Sequence, residues 1–158
     1  MTSFHLRGGT TDDADAIFRV HRSSILTLGR TAYRPEECES WAVGLSPKKY
    51  IDAMTVGGET YFVIEMQGEV VGFCSFKGDE VIGLYVDPSS SRRGVGSLLL
   101  SAVEKEIFTA RISTIRLNAA LSALKFYQEQ GFSEVGRKQW KTRGGVEIVV
   151  CAMEAPEH

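Results

Sequence analysis

The sequence predicts an α+β fold: a mixed, mostly antiparallel sheet of about six to seven strands flanked by helices, with one parallel pair near its centre. Three observations carry that prediction. Apolar residues recur at helical spacing early in the chain and give way to β-rich runs in its middle. Tight turns at Gln67-Gly68-Glu69 and Lys77-Gly78-Asp79 join the middle strands as antiparallel hairpins. Residues 80–119 read strand, helix, strand, and such a crossover makes its two strands parallel.

The elements follow in order. Residues 4–8 are a short extended stretch. Thr11-Asp12-Asp13 supplies an N-cap and an acidic first turn; Ala14, Ile17, Phe18, His21 and Ile25 then mark one face of a helix ending near Leu28-Gly29. Arg34-Pro35-Glu36-Glu37 opens a second helix with proline at its first position. Ser46-Pro47-Lys48-Lys49 repeats the device for a short helix through about Met54. Residues 59–66, 70–76 and 80–86 are strands. Beyond Pro88 and Ser89-Ser90-Ser91, Arg92-Arg93-Gly94-Val95-Gly96 opens a long helix to about Ala110. Residues 114–119 form a strand and residues 122–130 a short helix closed by Gly131. Residues 132–138 and 146–153 are two last strands around Arg143-Gly144-Gly145.

A chain of 158 residues suits one domain with a self-standing core and is too short for two ordinary ones, so residues 1–158 read as a single domain. Hydrophobic residues at 43% and charged residues at 24% exclude disorder and coiled coil. The 18 Lys+Arg against 20 Asp+Glu leave a net charge of −2, where a nucleic-acid binder would show a basic surplus. No apolar run approaches the ~20 residues of a bilayer span. The N-terminus lacks the apolar core of a secretory signal. Cys38, Cys74 and Cys151 are odd in number and far apart, as expected of reduced thiols in a cytoplasmic protein. His5, His21 and His158 are equally scattered, so no metal is expected.

Arg92-Arg93-Gly94-Val95-Gly96-Ser97 is the most informative stretch. Its glycines allow close backbone approach, the helix that starts there points free N–H groups outward, and two arginines add charge for a polyphosphate. A solvated basic pair at an ordinary helix start has the same composition. No Gly-Lys-Ser/Thr triplet exists, which removes a Walker loop. Leu99 and the seven residues between Val86 and Gly94 remove a Rossmann fingerprint.

Leu84-Tyr85-Val86-Asp87-Pro88, the Arg92-Arg93-Gly94-Val95-Gly96 turn, and Ala123-Leu124-Lys125-Phe126-Tyr127 with Gly131-Phe132 together resemble the GCN5-related N-acetyltransferases (GNAT). The family's turn reads Gln/Arg-x-x-Gly-x-Gly/Ala, and the element order agrees over nearly the whole chain. Two departures are visible: Ser91 stands where the family usually has Gln or Arg, and Ser122 where many members carry Asn. The resemblance implies the acyl-CoA N-acyltransferase fold, whose parallel strands splay apart to receive acetyl-CoA. It implies that the backbone of Leu84, Tyr85 and Val86 aligns with the pantetheine arm and that the amides of Arg93, Gly94, Val95, Gly96 and Ser97 hold the pyrophosphate. It makes Arg92 a candidate for the 3′-phosphate and Asn118 one for the pantetheine, although an idle surface arginine and a strand terminator fit those positions as well.

Acetyl transfer from a thioester to an amine sets three demands. The carbonyl oxygen gains charge and needs a fixed donor, which by resemblance is the Leu84 N–H. The departing thiolate, from a thiol of pKa about 8.5, needs a proton. By resemblance Tyr127 is its general acid, against a packing role beside Phe126. The acceptor ammonium, of pKa ~10.4, must lose a proton. Glu80, expected to share a strand face with Ile82 and Leu84, stands where some members place their base, although a place in the exposed turn after Gly78-Asp79 fits it at least as well; Glu65 competes for that role. His21, Tyr33, Trp41 and Tyr50 lie where the family builds its acceptor pocket, each with packing as its plainer role.

The expected function is acetyl-CoA-dependent N-acetyl transfer to a primary amine, with a small-molecule acceptor favoured, by direct attack in a ternary complex. The alternatives are a protein N-terminal or lysine acetyltransferase and a non-catalytic acyl-CoA-binding module. Neither nucleic acid nor membrane is expected as a partner, and a homodimer through the terminal strands is compatible with activity.

Overall fold

In the computed structural model, which describes residues 3–157 and leaves Met1, Thr2 and His158 outside the described residues, seven strands make one sheet. Strand β1 is Phe4–Gly8, followed by helices α1 (Ala14–Leu28), α2 (Pro35–Ala42) and α3 (Pro47–Thr55). Then come β2 (Thr60–Met66), β3 (Glu69–Lys77), β4 (Glu80–Val86), α4 (Val95–Thr109), β5 (Thr114–Ala120), α5 (Leu124–Glu129), β6 (Ser133–Lys141) and β7 (Glu147–Pro156). The spatial order is β1-β2-β3-β4-β5-β7-β6. Every neighbouring pair is antiparallel except β4 and β5, which are parallel as the crossover requires. The last two strands outrun expectation, β6 because it pairs with β7 up to Lys141↔Glu147 at the hairpin tip, and β7 because it pairs with β5 as far as Pro156.

Each face of the sheet has its own core. Leu99, Leu100, Val103 and Ile107 of α4 pack on Val81, Ile115, Leu117 and Met153. Gly72 permits that approach: a Cβ there would meet Val95 Cγ1 at 2.9 Å and Leu99 Cδ1 at 3.1 Å. On the opposite face, Ile17, Val20 and Ile25 of α1 join Cys38, Tyr50, Val63, Phe73 and Ile148. Truncating a fully buried leucine such as Leu99 to alanine costs about 2–5 kcal/mol. A 3-10 turn, Thr11–Asp13, precedes α1, and its N-cap is Thr10 in place of the expected Thr11: Asp13 accepts from the Thr10 N–H at 2.8 Å, while Arg7 Nη1 and Nη2 donate to its carboxylate at 2.9 and 2.8 Å.

Two irregularities open the sheet at its centre. β4 pairs with β5 only at Glu80↔Arg116 and Val81↔Leu117, after which the two strands part. Between Ser75↔Gly83 and Phe76↔Val81 the β3–β4 register also slips, so Ile82 is an extra, bulged residue. The bulge corrects one expectation. Cys74 and Phe76 share a face of β3, and their partners are Leu84 and Val81, so Val81 shares Leu84's face and Glu80 does not.

Candidate active site

The parting of β4 and β5 leaves backbone groups of β4 without a strand to bind. Asp87 N–H donates to Val71 O at 2.7 Å, which directs Asp87, and by alternation Tyr85, toward β3. Leu84 and Val86 therefore turn their amides and carbonyls into the gap. For Tyr85 the backbone belongs to β3, and its side chain forms the floor between α1 and the sheet, stacked 4.1 Å from the His21 ring.

A cleft of about 830 Å³ runs through this gap. Leu84, Tyr85, Val86, Arg92, Gly94, Val95, Gly96, Ser97, Asn118 and Tyr127 all line it, so most of the expected site residues converge there. Arg93 is outside the lining. At the cleft's mouth the chain turns through two left-handed residues, Arg92 at φ 63° and Gly94 at φ 82°. A non-glycine residue with positive φ is strained, and residues of this kind cluster where backbone amides are gathered for a ligand. The first helical hydrogen bond beyond the turn is Leu98 N–H to Gly94 O at 3.1 Å, so the amides of Val95, Gly96 and Ser97 are free of the helix. Ser90 Oγ is buried in the cleft wall without a hydrogen-bond partner among the described residues. The missing side chain of Gly96 makes room for Phe126, since a Cβ there would stand 3.2 Å from Phe126 Cζ, while its amide stays on the cleft.

Tyr127 lies at the inner end of the cleft, its ring held edge-on between Phe126 and Phe132 at 5.2 and 5.7 Å. Burial pushes its phenol well above the usual pKa of 10, with the Cys74 and Tyr85 positions adding to the rise. The group is a proton holder across the physiological range and so a hydrogen-bond donor to any anion that forms beside it.

A second cavity of about 230 Å³ adjoins the first and shares Trp41, Ile82, Gly83, Tyr85, Asn118 and Ala120 with it. His21, Trp41 and Tyr50 line it while also packing in the core, and Lys49, Glu59, Tyr61, Trp140 and Arg143, which the sequence does not single out, line it too. Their chemistry is ordinary and their sequence positions are remote, so no local pattern marks them. Tyr33 is elsewhere: its hydroxyl donates to Val149 O at 2.6 Å and accepts from Leu121 N–H at 2.9 Å, pinning the ends of β5 and β7. His21 Nδ1 is 2.8 Å from the Tyr50 hydroxyl, and burial holds the imidazole near pKa 3, so it is neutral.

Neither expected base reaches either cavity. Glu80 lines neither and pairs with Arg116 at 3.8 Å, on the far side of the bulge from Leu84. Glu65 is bound by Arg7 at 2.6 Å. Glu59, whose carboxylate accepts from Tyr61 at 3.3 Å, is the carboxylate on the second cavity's wall. Among the described residues no cluster of His, Cys, Asp or Glu could hold a metal ion, and no helix is long and apolar enough to cross a membrane.

The chain matches the acetyltransferase (GNAT) domain family over residues 30–154. It is 24% identical over 144 residues to an N-acetyltransferase of Escherichia coli K12, YafP, described as uncharacterized, covering 91% of each chain. The crystal structure of a GCN5-related N-acetyltransferase from Rhodopseudomonas palustris superposes with a TM-score of 0.89 at 27% identity, covering 97% of this chain and 95% of that one. The paiA N-acetyltransferase of Thermoplasma acidophilum in complex with coenzyme A gives a TM-score of 0.76 at 22% identity, covering 98% and 99%.

Proposed function

The chain belongs to the GNAT acetyltransferase family, has the acyl-CoA N-acyltransferase fold and is an acyltransferase, and from that premise we propose that it moves an acetyl group from acetyl-CoA to a primary amine of a small molecule. The observation that carries this reading is the gap between β4 and β5, where two adjoining cavities meet and share lining residues. Residues 1–158 act in it as one domain, in the cytoplasm where three reduced thiols persist.

The cleft suits acetyl-CoA. Leu84 and Val86 offer backbone groups to an extended amide-bearing arm, much as an edge strand accepts another strand. The free amides of Val95, Gly96 and Ser97, with Gly94 in the turn, suit a pyrophosphate at a helix N-terminus. Arg92 supplies charge at the mouth, and Asn118 an amide side chain facing both cavities. Acetyl-CoA contributes the activated thioester; everything else falls to the chain. The Leu84 N–H donates to the carbonyl oxygen as it gains charge. The amine attacks the carbonyl carbon, the N–C bond forms, and the C–S bond breaks. The Tyr127 hydroxyl donates to the departing thiolate, and the ammonium proton leaves through the second cavity, whose lining carboxylate, Glu59, is the candidate acceptor. A second copy, where one binds, has the exposed edge strand β6 available to it.

A thermal-shift titration with acetyl-CoA, with acetate and ATP as controls, tests the donor site. At ~100 times the dissociation constant the ligand adds about 2.7 kcal/mol, enough for several degrees in a domain of this size. The expected result is a shift specific to acetyl-CoA, followed by amine-dependent thiol release. No shift at millimolar ligand would sink the reading.

A further inference from the structure

The second cavity carries a charge pattern of its own. Three of its lining residues are charged: Lys49, Arg143 and Glu59. Among the described residues neither Lys49 nor Arg143 has a carboxylate within ion-pairing distance. Arg143 directs Nε to Val43 O at 3.0 Å and Nη2 to Trp41 O, both neutral acceptors. Lys49 Nζ stands 5.6 Å from the centre of the Tyr50 ring. The surrounding protein lowers the pKa of both cations, and the charge of Arg143 lowers that of Lys49 further. Two mutually repelling, partly solvent-exposed cations thus share one cavity wall with a single carboxylate, Glu59, which raises the pKa of Lys49 but ion-pairs with neither. The buried His21, which lines the same cavity, has no hydrogen-bond partner for Nε2 among the described residues.

Such a pair repels an acceptor whose charge is all positive and attracts one that brings an anion. The remaining wall is aromatic, with Trp41, Tyr61, Phe73 and Trp140 among its residues. A volume of about 230 Å³ lies below the ~300–1,000 Å³ of drug-sized pockets, which limits the occupant to a molecule of amino-acid dimensions. Resting on the acetyl-transfer reading above, we propose that the acceptor is a primary amine bearing a carboxylate on a small apolar or aromatic body, its carboxylate held between Lys49 and Arg143 and its amine turned to the gap beside Leu84. Carboxylate is favoured over phosphate because the wall's net charge, two cations against Glu59, matches a single negative group.

Both of the chain's tryptophans, Trp41 and Trp140, line this cavity, so tryptophan fluorescence reads its occupancy without turnover. The titrants are phenylalanine, leucine and methionine, each set against its decarboxylated amine, with the phosphonate analogue of phenylalanine as a further arm. In at least one pair the acid is expected to bind about tenfold more tightly than the amine. Lys49→Gln should remove most of that preference, and Lys49→Arg should keep it. Equal affinities within every pair, no acid binding at millimolar concentration, or a preference that survives Lys49→Gln overturns the proposal. Binding by the phosphonate alone overturns the carboxylate assignment. The acetyl-CoA thermal shift, measured on the same variants, separates the two readings: its absence removes the acetyl-transfer reading, while the fluorescence result decides the acceptor site by itself.

Discussion

Tyr127 and His21 are polar rings in apolar surroundings, and burial acts on them in opposite senses. For the phenol, burial disfavours the anion and the proton stays on. Tyr127→Phe keeps the contacts with Phe126 and Phe132 but deletes the donor. The expected outcome is a fall in kcat of about a hundredfold, within the range of one lost acid–base group, with the acetyl-CoA thermal shift unchanged. An unchanged kcat would leave Tyr127 as packing. For His21, burial disfavours the cation, so its pKa of about 3 in the fold lies below the ~6.5 of the unfolded chain. Between those values the unfolded state binds more protons, so this contribution to stability is intact above ~6.5 and is lost as pH falls toward 3. At about pH 5 the loss is about 2 kcal/mol. Asp13, held low by Arg7, loses its contribution only below the ordinary carboxylate pKa of about 3.9, in a separate window. Urea unfolding near pH 5 and pH 8 should show the slope in the wild type and a flatter one in His21→Gln. A slope identical in both proteins would place the acid lability elsewhere.

At the scale of elements, the acceptor side depends on how the β6–β7 hairpin tip sits on α2. Ser40 and Thr142 hydroxyls meet at 2.6 Å, Gly144 N–H donates to Ser40 O at 2.9 Å, and Arg143 reaches the carbonyls of Trp41 and Val43. Gly144 lies so close that a Cβ there would overlap Ser40, standing 2.9 Å from its Cα and touching its Oγ. Gly144→Ala should therefore lift the tip from α2, at an overpacking cost of about 1–3 kcal/mol. The acceptor KM should rise while acetyl-CoA binding holds, and the fluorescence of Trp41 and Trp140, 6.1 Å apart, should change. Normal acceptor kinetics in a destabilised Gly144→Ala would show that the tip is scaffold only. The contact also marks where sequence reasoning stops. The stripe of α1 and the proline starts of α2 and α3 are local signals, and each element forms where they place it. The bulge at Ile82 depends on which residue of β3 lies opposite, and only an unbroken strand sets Glu80 on Leu84's face. Lys49 and Arg143 meet only through the docking of α3 and the hairpin on one sheet face, which no spacing along the chain records.

For the whole molecule, the decisive fact is that the two cavities meet at the gap and share Gly83, Tyr85 and Asn118. A donor in one and an acceptor in the other can be present together, so transfer needs no carrier on the protein. A carrier would require a thiolate within reach of the thioester. Cys38, Cys74 and Cys151 are all buried and line neither cavity. Burial raises the pKa of each, and Cys151, donating to Glu134 at 3.1 Å, is pushed up to about 11. Such thiols are neither nucleophilic nor accessible. Initial rates measured against acetyl-CoA at several fixed acceptor concentrations should therefore give reciprocal plots that intersect, as a ternary complex demands. Treatment of the native protein with iodoacetamide should leave those rates unchanged. Parallel plots together with inactivation by alkylation would mean that one of the cysteines reaches the gap in a conformation other than this one, and the direct-attack mechanism would have to give way to an acetyl-cysteine intermediate.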